Sequence, residues 1–99
     1  MTTSWEELRA ERAQEPGFDE AYRRARLALA FGRAMREVRE GRGVTQADLA
    51  RRIGSTQPVI ARLEAGGVDP KLSTMRRVFE QLGAEFIIGA DSVRVATSA

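Results

Sequence analysis

Between Thr45 and Glu64 the sequence reads TQADLARRIGSTQPVIARLE. It carries two amides, Gln46 and Gln57, and three guanidinium groups, Arg51, Arg52 and Arg62, with Arg42 just ahead. An amide offers a donor and an acceptor side by side, and a guanidinium offers donors only. Such a set can recognise polar edges and anions through hydrogen bonds. Proton transfer is a different matter, because the sequence has no histidine and no cysteine. Their absence removes the usual general base, the usual nucleophile pair and most zinc sites. The carboxylates form no evident pair in a cleft-forming motif. An enzyme is not expected, and no cofactor or metal is required.

The elements that position these groups are legible in the same stretch. Thr45 is placed to cap a short helix, with Asp48 as the acid of its first turn. Leu49, Ala50 and Ile53 form its inward face, and Gly54 ends it. Thr56 then caps a second helix that runs to about Ala65. Two helices joined by so tight a turn must cross steeply. Ala50 has to be small where the second helix packs across it, and Gly54 takes a backbone conformation that a side chain would hinder. Ile60 and Leu63 fill the angle between the helices. Alanine four residues after Gln46, glycine four later and a β-branched residue six beyond is the helix-turn-helix spacing.

The remaining chain supplies the frame. Ser4 and Glu7 suit the capping box of a helix over residues 4–15, and Pro16-Gly17 breaks it. A long helix is expected from about Asp19 to Glu40. Its apolar stripe is Tyr22, Ala25, Leu29, Met35 and Val38, flanked by Leu27 and Phe31, and Gly41-Arg42-Gly43 stops it. Gly66-Gly67 forms a loop and Asp69-Pro70 a turn. Met75, Val78, Phe79 and Leu82 mark a further helix ending at Gly83. The tail changes period: residues 85–88 and 93–95 read as two short strands.

Ninety-nine residues, 42% of them hydrophobic and 30% charged, suit one soluble globular domain with at most a short arm. No apolar run approaches the roughly 20 residues of a membrane span, and the N-terminus lacks the apolar core of a signal peptide. A reducing cytoplasm fits the missing cysteines. The net charge of +2 is unevenly spread: residues 1–20 sum to −4 and residues 31–64 to +3. An acidic arm leading into a basic middle suggests two partners of opposite sign.

TQADLARRIG-STQPVIARLEAG, with the REGRGVTQADLA entry and the later PKLSTMRRVFEQLG helix, resembles the Xre/Cro family of phage-repressor-like helix-turn-helix domains. The resemblance spans about Met35 to Gly83. It implies a mainly α fold: a helix-turn-helix bundle over 31–83, an N-terminal helical extension over 1–30 and a short C-terminal β element over 84–99. It also implies that the second helix of the motif lies in the major groove of a double-stranded operator. The acidic extension WEELRAERAQEPGFDEAYRRA and the tail AEFIIGADSVRV are similar to those of HigA-like antitoxins. That likeness implies binding of a RelE-like toxin and repression of the protein's own operon. A stand-alone repressor and a protein-binding adaptor are the alternatives.

In such families the glutamine opening the first helix of the motif braces a phosphate and the glutamine of the recognition helix, here Gln46 and Gln57. Gln57, near the helix start, can pair bidentately with adenine. Thr56 sits beside it as the cap. Arg62 can reach a guanine or a phosphate, and Ala61 permits close approach or contact with a thymine methyl. Arg42, Arg51 and Arg52 are candidate phosphate contacts. Pro58 departs from the family pattern of a small polar residue, so base recognition there does not carry over. Its missing N–H costs the helix nothing at the second position, and the ring can make an apolar contact. The toxin-binding candidates are Trp5, Leu8, Glu11, Phe18 and Tyr22. A homodimer is expected to form through Phe86, Ile88, Val93 and Val95, closing open strand edges.

Overall fold

The computed structural model describes residues 6–7, 16–89 and 92–96. Its long first helix, α1 (Phe18–Gly41), begins after Gly17, with Asp19 and Glu20 in the first turn. The motif helices follow as α2 (Gln46–Ile53) and α3 (Gln57–Glu64). α4 (Leu72–Leu82) ends at Gly83. The chain closes with β1 (Glu85–Ile88) and β2 (Val93–Ala96). The strands pair antiparallel, with Phe86 opposite Val95 and Ile88 opposite Val93. The fold is therefore mainly helical with a short two-stranded element, as the residue pattern leads one to expect.

Each helix contributes one stripe to a single core. Phe31, Met35 and Val38 come from α1, Leu49, Ala50 and Ile53 from α2, Ile60 and Leu63 from α3, and Met75, Val78, Phe79 and Leu82 from α4. Burying a large aliphatic or aromatic side chain of this kind stabilises by about 1.5–3 kcal/mol. Phe79 is the hinge of the aromatic packing. Its ring meets Phe31 edge-on at 5.8 Å and Phe86 in a tilted arrangement at 4.7 Å.

α1 corrects the expected stripe. Phe31 is fully buried rather than flanking, Ala25 is exposed, and Leu29 is 43% exposed. The core face runs through Ala28, Phe31, Met35 and Val38 instead, which is the i, i+3, i+7 pattern of one helical side. Only the second half of the helix contributes buried side chains. No residue from Phe18 to Leu27 is buried.

Two glycines set the motif's geometry. Gly54 closes α2 at φ 69°, ψ 37°, a left-handed conformation that side chains resist. The chain then reverses, and the N–H of Ser55 donates to the carbonyl of Ala50 at 2.8 Å. Gly32 serves a close approach. A β-carbon there would lie 2.6 Å from the carbonyl oxygen of Leu63 and 2.5 Å from that of Glu64. The end of α3 therefore rests directly on the backbone of α1, and this contact brings Glu64 into the interior.

Candidate nucleic-acid interface

The start of α2 is tightly specified. The Thr45 hydroxyl accepts from the N–H of Asp48 at 3.0 Å, a side-chain cap. This cap fixes Gln46 at the first helical position, with its side chain directed across the motif. α3 starts differently. Thr56 stands at the cap position in extended conformation but makes no side-chain cap bond, and the first turn holds no acid. Pro58 fits within that first turn, as its missing N–H allows. Gln57, Pro58 and Val59 are all exposed there. The positive end of the α3 dipole thus faces outward without a neutralising carboxylate.

A chain of hydrogen bonds joins this exposed turn to the interior. The Gln57 amide donates to Oε1 of Gln46 at 2.7 Å. The Gln46 amide donates to Oε1 of Glu64 at 3.0 Å. Arg39 donates to the same carboxylate twice, from Nε to Oε2 at 2.7 Å and from Nη2 to Oε1 at 2.9 Å. Its Nη1 donates to the carbonyl of Val44 at 2.9 Å. The two charged side chains retain 11% and 4% of their exposure. This is a bidentate pair with further hydrogen bonds to Val44 and from Gln46, the kind of arrangement in which a buried ion pair is tolerated.

The hydrogen bond to Glu64 holds the Arg39 guanidinium above its ordinary pKa. Burial opposes that effect, and the charges of Glu64 and Glu40 add to it. A group raised in this way contributes stability below its unfolded pKa and loses it only as pH rises through the folded one. Since an arginine's ordinary value already lies far above neutral and the shift is upward, Arg39 stays charged across the neutral range.

The arginines divide into two groups. Arg62 is exposed and, among the described residues, forms no ion pair. Ala61, beside it, is half-buried. Arg51 pairs with Asp48 on its own helix. Arg42 donates to the carbonyl of Gly83 at 3.1 Å, and Arg52 to that of Gln81 at 3.4 Å. Both therefore gather at the C-terminal end of α4, where cations suit the helix dipole. Each bond uses one of five guanidinium N–H groups, so the charge remains on the surface.

The other expected sites fall as follows. Phe86, Ile88, Val93 and Val95 are half-buried and pack against the protein's own core. Val93 and Val95 also line a groove of about 750 Å³ between α1 and β2, with Ala30 and Ala34. On the outer face of the sheet, Ile87 is 55% exposed. Phe18 and Tyr22 stack on each other with centroids 6.4 Å apart, and Arg26 lies over the Tyr22 ring at 5.7 Å. Trp5, Leu8 and Glu11 lie outside the described residues.

Arg39 and Glu64 were missed in the sequence, yet they left a signal. Each sits four residues after a core position, Met35 and Ile60, and one after another, Val38 and Leu63. An opposite-charge pair on two apolar stripes announces a buried ion pair.

Two helices crossing at a glycine turn, with the second presenting an uncapped, acid-free first turn, define a helix-turn-helix protein. The comparisons agree. The family model for the helix-turn-helix matches residues 35–86, more than half of the chain, and the chain belongs to that family. It is 42% identical over 53 residues to an uncharacterized HTH-type transcriptional regulator of Methanothermobacter thermautotrophicus. That alignment covers 54% of this chain and 77% of the relative. No solved structure matches the chain.

Proposed function

We propose that this protein is a transcription regulator that binds double-stranded DNA in a sequence-dependent way, with α3 in the major groove. The observation that carries the reading is the Gln57 amide, exposed at the first turn of α3 and held there by Gln46. A side chain that reads base edges must be both accessible and fixed in orientation, and Gln57 meets both conditions. Gln46, Gln57, Ala61 and Arg62 are the base-proximal set, with Thr56 and Pro58 at their edge. Arg51, Arg52 and Arg42 supply positive charge for phosphates. The description of the relative as an HTH-type transcriptional regulator is consistent with this assignment. No helix among the described residues is long and apolar enough to cross a membrane.

The test is selection from a randomised duplex library, followed by affinity measurement across a salt series. Affinity should fall steeply with salt as phosphates release their counterions. A complex indifferent to salt, or no enriched sequence, defeats the reading and favours an adaptor that binds protein.

A second reading concerns the N-terminal arm and is favoured by the exposed first half of α1. Phe18 and Tyr22 stack on a helix segment that contributes nothing to the core, behind residues whose net charge is −4. In this reading the arm, with Trp5, Leu8, Glu11, Phe18 and Tyr22, binds a basic RelE-like ribonuclease. The protein is then a HigA-like antitoxin that represses its own operon as a dimer. Co-expression with the product of the neighbouring reading frame, followed by light scattering, tests it. A complex lost on deleting residues 1–20 supports the antitoxin. A DNA-binding dimer with no neighbour attached supports a stand-alone repressor.

A further inference from the structure

The chain of hydrogen bonds from Arg39 to Gln57 has a direction, and the direction is set at its buried end. A guanidinium can only donate, and an ionised carboxylate can only accept. Glu64 therefore receives from Arg39 on one side and from Gln46 on the other. Gln46 must turn its NH2 inward to Glu64, which leaves its Oε1 facing Gln57. Gln57 must answer with its own NH2. What remains for a ligand is the Oε1 of Gln57 and its second N–H. The buried pair thus decides which polar atom the recognition helix presents.

We propose that Glu64 is a positioning residue for sequence preference: acting through Gln46, it holds the acceptor of Gln57 outward and makes that side chain select adenine over guanine. The inference rests on the DNA-binding reading above. Adenine offers a donor and an acceptor on its major-groove edge, N6–H and N7, which match one acceptor and one donor. Guanine offers two acceptors, O6 and N7. An outward oxygen would face one of them with no proton between. A Gln57 turned the other way would present two N–H donors and suit guanine instead.

Glu64→Gln removes the constraint. Arg39 donates to both carboxylate oxygens and Gln46 shares Oε1 with it, so the new amide loses one bond from Arg39 in either orientation. With its oxygen at the Oε1 position the chain keeps its direction. With its NH2 there, Gln46 accepts with Oε1 and donates to Gln57, whose oxygen is drawn inward and whose NH2 faces out. The substitution changes no residue on the exposed surface of α3. A residue needed only for stability would weaken binding to every sequence alike, whereas loss of the polarity constraint changes the base ratio.

The experiment is binding-site selection from a randomised duplex library with the full-length protein and three variants. Gln57→Ala identifies the base pair that Gln57 contacts, as the one position whose preference flattens. At that pair the unsubstituted protein should favour adenine over guanine by roughly tenfold or more, the scale of one bidentate contact. Glu64→Gln, with both amide orientations open, should bring the preference for adenine down toward parity with guanine. Gln46→Met leaves the Arg39–Glu64 pair intact, cuts the link, and should bring the ratio close to one. Circular dichroism of each variant checks the fold. A folded Glu64→Gln protein that still selects adenine at the original ratio overturns the proposal, as does an unmoved ratio in Gln46→Met. A base other than adenine at the Gln57 position in the unsubstituted protein overturns it too. Should Glu64→Gln fail to fold, Gln46→Met alone decides. Failure of the unsubstituted protein to enrich any sequence is a separate result, which removes the DNA-binding reading itself.

Discussion

The two ends of α1 use charged and aromatic side chains in opposite ways. At its C-terminal end Arg39 is almost enclosed, makes two bonds to Glu64 and one to Val44, and connects through Gln46 to the exposed Gln57. At its N-terminal end, among the described residues, Glu20 and Arg24 lie 3.9 Å apart with more than half of each side chain exposed, and Phe18 stacks on Tyr22 one turn away. Exposed pairs of that kind contribute little. The first region is held by partners from three helices and has one arrangement open to it. The second contributes no buried side chain to the core. An interface that must discriminate between bases needs the first kind of construction. A surface that must meet a protein partner can wait for the partner to complete it.

The largest effect that separates the regions should come from Glu64→Ala. It leaves the Arg39 charge buried with its main partner gone, which costs about 3–5 kcal/mol for a buried pair of this type. Urea denaturation should show the loss directly. The paired replacement Arg39→Met with Glu64→Leu should recover much of it, because removing both leaves no buried charge unpaired. If the single variant costs less than about 1 kcal/mol, in the range of an exposed pair, the contrast between the two ends collapses.

Gly32→Ala should follow. The added methyl would sit 2.5 Å from a backbone oxygen at the end of α3, and neither helix can yield without moving the core. A destabilisation of about 3 kcal/mol, the upper part of the range for overpacking, is expected in the same assay. Gly41→Ala gives the contrast, since no atom lies within 4 Å of the added carbon. Equal losses in the two variants would mean that the close approach of α3 to α1 is not what Gly32 provides.

Gln57→Ala sharpens the comparison on the functional side. Gln57 is exposed and its contact is with another side chain, so the denaturation midpoint should hardly move. Base discrimination at one position should fall by about 1–3 kcal/mol. Arg62→Ala should instead weaken all sequences together if the guanidinium meets a phosphate, and should lower the salt slope by about one ion. Uniform loss from Gln57→Ala would reassign that residue to phosphate contact.

Much of this architecture was legible in the sequence because local chemistry and tertiary packing agree there. Thr45, Gly54 and Gly83 end or begin helices where their types demand, and Ala50, Ile60 and Leu63 are buried at the expected spacing. The two glutamines were also brought together as the family resemblance implies. The failures have physical causes. The stripe on α1 was drawn over the whole helix, although an apolar periodicity does not say how much of a helix meets a body. Arg39 and Glu64 were passed over because charged residues are ordinarily solvated, and the close approach at Gly32 that buries one of them is a tertiary fact. Arg42 and Arg52 stand as phosphate candidates; what the sequence did not show is that each also bonds a carbonyl at the end of α4, some thirty to forty residues further along the chain.

The smallest effect concerns Tyr22. It is half-buried, stacked on Phe18 and covered on one side by Arg26, and its helix segment contributes nothing to the core. Tyr22→Ala should therefore change stability by no more than about 0.5 kcal/mol, the usual range for surface positions. A loss of 2 kcal/mol would mean that the acidic arm folds back and uses this ring as an anchor, leaving no free surface for a partner. A neutral result acquires meaning when it is set beside co-purification. If Tyr22→Ala is stable, binds DNA normally and yet loses the neighbouring gene product, the exposed end of α1 is a binding surface whose geometry is completed by its partner. The same substitution retaining that product would confine recognition of the neighbour to other residues of the arm or to the body.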